Sequence, residues 1–389
     1  MNRSCMRQRH QGFSLIDVMV GIVIALVAML VVYQVFAVGE QFKRNTTSIG
    51  EAQVNGLLAS FVLGQQLANS GSALAAAAMD LASCEDQAAE PNLTKRFAKS
   101  WRPIPVLIFD SGASNTPDSF LVNYSTSTNI IAPALAITSS VGKYVVQSPN
   151  GFHPLPNTTE RKDLIVAIEK SPNAAIPGKC EPARVDSVVP SVTAACLAAQ
   201  GCVELSYTGT ALATTPYSVF NMGAADDAQK ISYDIVEEVT NNPCASATPP
   251  FTPCVLRSTQ LLDNTGSLSA AAPNPLASNI VNMKVQYGID TNGDGMFDTW
   301  VTATGAWAPA VLLAAATPIA TLNQIKVIRM GIIVRGEQFE RGLGDYKWTM
   351  FGGTVTGTIA ATLAPAGNWR YRVYESVIPL RNEIWNKLS

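Results

Sequence analysis

Hydrophobic residues form one long run near the N-terminus and are spaced as in a helix just beyond it. Between Gly12 and Gly39 the only charged side chain is Asp17, and about 20 consecutive apolar residues are enough to cross a bilayer. The positions with amphipathic-helix spacing further on are Val54, Leu57, Leu58, Phe61 and Val62. We therefore predict one helix over residues 13–70, with a membrane-spanning half and an amphipathic half packed on a globular domain.

After residue 71 the apolar residues occur in short runs that are rich in β-branched and aromatic side chains, which is typical of strands. The predicted strands are 106–109, 120–124, 144–147, 164–168, 203–207, 231–239, 281–289 and 325–334. In 281–289 the apolar residues alternate with Asn282, Lys284 and Gln286, so we expect a half-buried strand with one polar face towards solvent. The fold class that follows is α+β, with a long N-terminal helix followed by a mostly antiparallel sheet.

Three stretches rich in Ser, Thr, Ala and Pro separate the predicted strands. They are 125–140, 245–253 and 308–321, and they carry few charges. Such composition is more typical of connecting segments than of strands or helices. We predict long surface loops at all three.

The charge balance is mildly acidic, with a net charge of −2 over 389 residues. The first 12 residues contain Arg3, Arg7 and Arg9 and no acidic residue, which predicts a cytoplasmic N-terminus and a domain on the far side of the membrane. No basic cluster occurs beyond this leader. Binding of nucleic acid as a main function is therefore not expected, because a phosphate backbone is bound by clustered Lys and Arg.

Seven cysteines are present, and Cys5 lies in the leader. The other six are Cys84, Cys180, Cys196, Cys202, Cys244 and Cys254. An even number in an exported domain favours disulfides. Short loops would be closed by Cys196 with Cys202 and by Cys244 with Cys254, leaving Cys84 with Cys180, although other pairings stay open. A zinc site is the competing interpretation, but no Cys-x-x-Cys pair occurs and His153 is the only histidine after the leader.

Two ordinary interpretations of the N-terminal segment explain it incompletely. A secretory signal peptide has an apolar stretch of about 7–15 residues followed by a small-x-small cleavage site, whereas this stretch is longer and lacks a convincing site. A plain membrane anchor explains the hydrophobicity and the orientation. It does not explain Asp17, since a charge inside a bilayer helix costs roughly 2.5–3.5 kcal/mol on insertion scales.

The segment Gly12-Phe13-Ser14-Leu15-Ile16-Asp17 resembles the N-terminus of type IV prepilins and of the pseudopilins of type II secretion. The C-terminal stretches 280–298, 328–335 and 371–382 are similar to PilW-type minor pilins, relatives of the J-type pseudopilin. The resemblance covers the first 70 residues or so and the region from Asn279 to Trp385. One difference is that the fifth mature residue in the family is usually glutamate, whereas here it is Asp17.

The resemblance implies a division into a prepilin leader (1–12), an N-terminal helix (13–70) and a periplasmic β-rich domain (71–389). Prepilin peptidase would cut between Gly12 and Phe13, the new amine would be methylated, and Asp17 would act in assembly. The implied function is that of a minor pilin which primes pilus assembly at the fibre tip. Its partners would be other minor pilins, the major pilin and a tip adhesin, and its location the inner membrane until it enters the pilus.

Two alternatives to a pilus subunit stay open. One is a J-like minor pseudopilin of a type II secretion system, which neighbouring genes would distinguish. The other is a membrane-anchored periplasmic enzyme, but no nucleophile elbow, phosphate loop or His-Glu-x-x-His motif occurs. His153 lies in a loop-like context, and the pairs 226–227 and 237–238 are expected to be solvated carboxylates. We therefore expect no enzymatic activity.

The loop 290–298 carries several oxygen ligands at the spacing of an EF-hand. The candidate calcium ligands are Asp290, Asn292, Asp294, Met296 through its carbonyl, and Asp298. Gly295 would allow the sharp turn, but position 12 is Val301, so the bidentate acid is missing. The alternative is an Asp/Asn/Gly hairpin turn that needs no metal. If calcium binds, we expect weak affinity.

Overall fold

The computed structural model describes most of the chain. The described residues are 14–74, 77–127, 133–147, 151–154, 161–169, 178–191, 196, 201–212, 214–227, 230–239, 241–242, 244, 253–269, 271–360, 362–363 and 366–381. Contacts divide the chain into two compact units, residues 1–51 and residues 52–389. The first unit contains the apolar part of the N-terminal helix, and the second contains the rest of that helix and every strand among the described residues.

The N-terminal helix is continuous from Leu15 to Asn69, as the sequence predicts, and short helices follow it. The α-helices with described bounds are α1 (Leu15–Asn69), α2 (Ala78–Leu81), α3 (Leu93–Lys99), α4 (Pro309–Leu313) and α5 (Ile319–Leu322). The strands are β1 (Val106–Phe109), β2 (Ser119–Asn123), β3 (Ala134–Ser140), β4 (Lys143–Val146), β5 (Asp163–Ile168), β6 (Cys180–Pro190), β7 (Val203–Gly209), β8 (Ser218–Ala224), β9 (Lys230–Glu237), β10 (Cys254–Gln260), β11 (Asn274–Ser278), β12 (Ile280–Ile289), β13 (Thr299–Val301), β14 (Ile325–Arg341), β15 (Tyr346–Met350), β16 (Val355–Ile359), β17 (Thr362–Leu363) and β18 (Ala366–Pro379).

Two five-stranded sheets and a hairpin form the body of the second unit. The first sheet has the order β1-β2-β9-β10-β11, the second has the order β13-β12-β14-β18-β17, and β15 pairs with β16. Every strand-to-strand ladder among the described residues is antiparallel. The predicted α+β class, a long helix followed by a mostly antiparallel sheet, is therefore confirmed.

A closed six-stranded barrel is inserted into the first sheet. Its strand order is β3-β4-β7-β6-β5-β8, and its core includes the stacked rings of Tyr144 and Tyr207, whose centroids are 4.3 Å apart. The barrel lies in the chain between β2 and β9, which are hydrogen-bonded neighbours, and Asn123 pairs directly with Lys230. The chain therefore leaves the sheet and returns to it at a single pair of residues.

The buried face of the second half of α1 differs from the predicted one. Residues Ala52, Gly56, Ala59, Leu63 and Leu67 are buried, at the helical spacing of four, three, four and four. The predicted stripe lies outward instead: Val54, Leu57, Leu58 and Phe61 are exposed by 45–69 %, and Val62 is half-buried. The prediction was wrong because it selected the large apolar residues, whereas the helix uses three small residues to approach the sheet closely.

Strand β12 is also more buried than its alternating pattern predicts. Asn282, Lys284 and Gln286 are 0 %, 6 % and 7 % exposed, so the expected solvent-facing side is covered. The cover is the connection between β1 and β2: Asn282 donates to the carbonyl of Ser114 at 2.9 Å, and Lys284 donates to that of Ala113 at 2.8 Å. A loop, rather than water, thus supplies partners for Asn282 and Lys284 on this face.

Two of the three predicted surface loops contain regular structure. The range 125–140 includes β3, which closes the barrel by pairing with β8. The range 308–321 includes α4 and the start of α5, and Leu312 and Leu313 of α4 are fully buried. Of the third range, 245–253, only Pro253 lies within the described residues. Within 308–321 the buried residues are therefore Pro309, Leu312 and Leu313 of α4, whereas the alanines of this range are exposed or half-buried.

Candidate functional site

The first turn of α1 brings Asp17 to the start of the apolar helix. Ser14 precedes the helix, its hydroxyl accepts a hydrogen bond from the N–H of Ile16 at 3.3 Å, and its carbonyl accepts one from the N–H of Asp17 at 3.0 Å. The carboxylate of Asp17 therefore lies at the positive end of the helix dipole, which favours an acidic side chain there. Gly12 and Phe13, the predicted processing residues, lie outside the described residues.

From Val18 to Gly39 the helix carries no charged side chain and is apolar on nearly every side. Exposure of its large hydrophobic side chains ranges from 50 % at Val18 to 78 % at Leu15. An 18-residue window has a mean hydropathy of 3.0 and no buried residue. By length and composition, this helix is long and apolar enough to cross a membrane.

In the second unit, α1 presents a separate apolar surface. Its outward face carries Val54, Leu57, Leu58 and Phe61, all exposed. We call these four residues the outer stripe. A helix packed on a domain by one face and apolar on another is suited to contact a further hydrophobic surface.

Six cysteines after the leader form three disulfides. Cys84 pairs with Cys180, Cys196 with Cys202, and Cys244 with Cys254, with Cα–Cα distances of 5.3, 5.4 and 6.0 Å. These distances lie within the usual disulfide range of about 4.4–6.8 Å. The pairs are those that the short loops in the sequence favour. The bond from Cys84 to Cys180 joins the helical segment after α1 to the start of β6 in the barrel.

The predicted calcium ligands come together in a hydrogen-bonded turn between β12 and β13. Asp290, 3 % exposed, accepts the N–H of Gly293 at 2.6 Å and that of Gly295 at 2.8 Å. Asp298 accepts the N–H and the hydroxyl of Thr291, both at 2.7 Å, and these bonds lower the pKa of Asp298. Both carboxylates therefore hold the backbone of the turn.

The other three candidate ligands lie on the exposed side of the same turn. The Asn292 amide donates to Asp294 at 3.3 Å and to Asp298 at 3.2 Å, while Asp294 accepts the N–H of Met296 at 2.7 Å. Within the part of the chain that the structure describes, no group of three or more His, Cys, Asp or Glu side chains is arranged to hold a metal ion. Calcium binding at this turn stays a prediction.

A buried ion pair on β12 was not predicted from the sequence. Lys284 lies 2.8 Å from a carboxylate oxygen of Asp118 and 2.9 Å from the hydroxyl of Ser111. Asp118 also accepts the N–H groups of Ser111 at 3.0 Å and Val285 at 3.1 Å. Burial raises the pKa of Asp118, although Lys284 and the hydrogen bonds oppose this. The alternation of apolar and polar residues in β12 placed Lys284 on the same face as Asn282 and Gln286, but it did not identify Asp118 as the partner of Lys284.

Lys230, at the point where the chain returns from the barrel, is a fully buried cation. Its ammonium donates to the carbonyls of Phe97, Ala98 and Ser100 at the C-terminal end of α3. It also lies 4.0 Å from the centroid of the Trp101 ring. Desolvation lowers the pKa of this lysine. The carbonyl oxygens at a helix C-terminus attract a cation, so Lys230 holds α3 against the sheet.

The residues weighed for an enzymatic interpretation are dispersed. His153 is partly buried rather than at the surface, and its ring lies 3.3 Å from the buried carboxylate of Asp163, which also accepts from Asn221 at 2.7 Å. Asp226 and Asp227 are exposed on a turn after β8, while Glu237 and Glu238 lie at the end of β9. No serine or cysteine is hydrogen-bonded to the His153 ring among the described residues.

The C-terminal part of the second unit gives a match to a known family. Residues 244–382 match the PilW family, type IV pilus-assembly protein W. The resemblance to PilW-type proteins is thus confirmed over this region, which begins earlier than the Asn279 expected from the sequence. Comparisons with curated proteins and with solved structures found no match.

The PilW region corresponds to one part of the architecture. It contains β10 to β18, and hence the whole second sheet and the β15–β16 hairpin. The helix α1 and the barrel precede it in the chain. The family match therefore supports a role in type IV pilus assembly for the body of the domain.

Proposed function

We propose that this chain is a minor pilin of a type IV pilus, which primes assembly and is located at the fibre tip. The observation that carries the proposal is Asp17 in the first turn of α1, the only charged residue between Gly12 and Gly39 in an exposed apolar segment. That helix precedes a domain whose residues 244–382 match a type IV pilus-assembly family. An isolated acid at the start of a membrane helix is costly and therefore needs a functional partner.

The precursor would reside in the inner membrane with its N-terminus in the cytoplasm. Arg3, Arg7 and Arg9 precede the helix and favour this orientation. The domain after residue 71 would then lie in the periplasm, an oxidising compartment that is consistent with the three disulfides. Prepilin peptidase would cut between Gly12 and Phe13, and the amine of Phe13 would be methylated.

Asp17 would pair with the Phe13 amine of a neighbouring subunit during assembly. After cleavage, the amine and the carboxylate are opposite charges at the same end of the helix. Pairing them across two subunits offsets part of the cost of burying each in the fibre. This supports a role of Asp17 in assembly rather than in membrane insertion.

The outer stripe would contact the helices of other pilins. Its four residues, Val54, Leu57, Leu58 and Phe61, are exposed in the isolated chain, and burying apolar area contributes roughly 25 cal/mol per Å². Other minor pilins and the major pilin would provide the matching apolar surfaces. A tip adhesin would be a further partner.

Replacement of Asp17 tests the proposal. We expect Asp17→Ala to insert into the membrane and to be cleaved but to reduce piliation strongly, because the amine of the neighbouring subunit loses its partner. Asp17→Glu is the matched control, since it keeps the charge. Cells with this variant should carry at least as many pili as the wild type. Counting pili by electron microscopy and sheared-pilin assays provides the measurement. Normal piliation in Asp17→Ala would contradict the role of this residue.

Intact-mass analysis of the membrane-extracted protein tests the processing step. The mature chain should begin at Phe13 with one added methyl group. A mature chain that still contains Arg3 to Arg9 would contradict the prepilin assignment. A deletion strain with normal pili and impaired protein secretion would instead assign the chain to a secretion pseudopilus.

A further inference from the structure

A small polar cavity lies over the polar face of β12. Its volume is about 250 Å³, below the range of about 300–1,000 Å³ of pockets for drug-sized ligands. Its walls are the connection between β1 and β2, residue Thr302 after β13, and residues 354–356 at the start of β16. Such a cavity has room for one small ring rather than for a peptide.

Gln286 forms part of the cavity wall, and its amide orientation is fixed by Arg329. The side-chain oxygen of Gln286 accepts a hydrogen bond from Nε of Arg329 at 2.8 Å. Arg329 is held in turn between the rings of Trp300 and Phe351, at 4.7 and 4.5 Å from their centroids. Because the oxygen faces Arg329, the amide nitrogen faces away from it. This nitrogen has no hydrogen-bond partner among the described residues, although Gln286 is only 7 % exposed.

The other polar groups of the wall include both donors and acceptors. The hydroxyls of Ser114 and Thr356 have no partner within the described part of the chain, and one carboxylate oxygen of Asp110 accepts the N–H of Gly112 at 2.7 Å, leaving the other available. A hydroxyl both donates and accepts. Thr302, Thr354 and Thr356, whose side chains each carry a methyl group, also line the cavity.

The charge of the cavity disfavours an anionic ligand. The two charges at its base, Lys284 and Asp118, form an ion pair at 2.8 Å, and all three donors of Lys284 are already used by Ser111, Ala113 and Asp118. Asp110 remains as the uncompensated charge of the wall. An anionic ligand would be repelled by it, and the guanidinium of Arg329, which donates to Gln286 and Thr354, is not itself part of the wall.

We propose that this cavity is a binding site for a single neutral pyranose, such as the terminal sugar of a glycan. A pyranose carries hydroxyls that donate and accept, and C–H groups that pack on threonine methyls, so it matches both kinds of surface in the wall. The amide nitrogen of Gln286, whose orientation Arg329 fixes, supplies a donor. Affinity is expected in the millimolar range, because the cavity is small and a single ring forms few contacts.

Saturation-transfer NMR on the full chain tests the site. The protein is held in dodecylphosphocholine micelles, since a glycoside detergent would itself compete. The probes are the methyl glycosides of glucose, galactose, mannose and N-acetylglucosamine at millimolar concentration, together with glucuronate as an anionic ring. We expect transfer to at least one neutral ring and weaker transfer to glucuronate. No transfer to any ring would overturn the proposal.

Two variants locate the binding. Gln286→Glu keeps an oxygen for Arg329 but removes the amide donor, and Thr356→Val removes an exposed hydroxyl with little change of shape. Each should weaken binding by up to about tenfold, the effect of one lost hydrogen bond. Thr349→Val is the matched control, because Thr349 pairs with Thr356 across the hairpin but lies outside the cavity wall.

A melting curve of each variant shows whether it folds. If Gln286→Glu does not fold, Thr356→Val alone tests the binding site. Equal transfer in the wild type, Gln286→Glu and Thr356→Val would show non-specific contact and overturn the assignment. Asp110→Asn tests the role of charge. In this variant the saturation transfer to glucuronate should approach that to the glucose glycoside. Piliation plays no part in these measurements, so the sugar site and the pilin assignment can fail separately.

Discussion

The ring of Tyr374 on β18 occupies the space where a side chain at Gly56 of α1 would lie. A Cβ atom at position 56 would be 2.3 Å from Cε2 of Tyr374 and 2.7 Å from Cδ2. Such distances are far below van der Waals contact. The absence of a side chain at Gly56 therefore sets how closely the second half of α1 approaches the second sheet.

We predict opposite effects for two glycine substitutions in this helix. Gly56→Ala should destabilise the protein by about 1 kcal/mol or more, because overpacking typically costs about 1–3 kcal/mol and exceeds the helix-propensity gain. Gly64→Ala is the matched control, since a Cβ atom at position 64 would have no neighbour within 4 Å, and should stabilise by about 0.5–1 kcal/mol. Thermal melting measures both. A stabilised Gly56→Ala variant would contradict the close approach.

Removal of Lys284 should be among the most destabilising single changes in the domain. Lys284→Met leaves the buried Asp118 carboxylate without its cation, and breaking a buried pair in this way costs about 3–5 kcal/mol. Denaturant unfolding of the wild type and the variant gives the difference. Lys347→Met on the exposed side of β15 is the control and should change stability by less than about 0.5 kcal/mol. A cost equal to that of the control would show that the pair is not formed.

The cost of Lys284→Met should also depend on pH. Burial raises the pKa of Asp118 in the folded state, so this group stabilises the fold when protonated, and that contribution is lost as the pH rises through the folded pKa. Without Lys284 the pKa rises further, and the loss extends to higher pH. The difference in melting temperature between wild type and variant should therefore be larger at neutral pH and shrink on acidification. A difference independent of pH would contradict this coupling.

The two disulfides of the barrel region should contribute unequally to stability. Loop-closure entropy predicts about 4.7 kcal/mol for a separation near that of Cys84 and Cys180 and about 2.2 kcal/mol for one near that of Cys196 and Cys202; the separations are 96 and 6 residues. The double variants Cys84→Ser/Cys180→Ser and Cys196→Ser/Cys202→Ser are compared by denaturant unfolding. Equal losses would mean that native-state contacts, rather than chain entropy, dominate.

Calcium is tested at the turn between β12 and β13. We predict that millimolar calcium raises the melting temperature, because Asp290, Asp294 and Asp298 repel one another within a short loop. Binding to the folded state alone stabilises by about 2.7 kcal/mol at a hundredfold excess over Kd. Asp294→Ala, which removes an exposed carboxylate, should abolish the shift. An unchanged wild-type melting temperature with calcium and with chelator would leave a metal-free turn as the explanation.

Sequence patterns predicted α1 well because its apolar run needs no tertiary partner to be recognised. The hydrophobic pattern alone could not show which face of the second half of α1 is buried. Periodicity identifies an apolar stripe but not whether the domain or another molecule covers it, so Leu57 and Phe61 were assigned to the core. The domain instead covers Ala52 and Ala59, where small side chains permit close packing.

The same limit applies to the sheets. Alternation in β12 identified the strand and its two faces, but a loop more than 150 residues earlier in the chain covers the polar face, as the contact between Lys284 and Ala113 shows. The β3 segment was missed because its polar residues Thr138 to Ser140 resemble a loop in composition, whereas pairing with β4 makes them a strand. Non-local pairing of this kind leaves little trace in a local window.

Some candidate site residues could be found from the sequence, and others only from the structure. Asp17 and the cysteines were found because their residue types are unusual in their surroundings. The cavity beside Gln286 was not found, since its walls come from four separate parts of the chain and Arg329 fixes the amide. Ordinary polar residues become informative only when the fold brings them together.

The barrel insertion has a consequence for how the chain folds. Because Asn123 and Lys230 are paired residues, the first sheet is completed only when the ends of the whole intervening segment meet. Closing so long a flexible loop costs entropy and slows non-local pairing. A barrel that has already formed brings its two ends together and shortens the search. We therefore expect the inserted barrel to fold before the sheet into which it is inserted is completed.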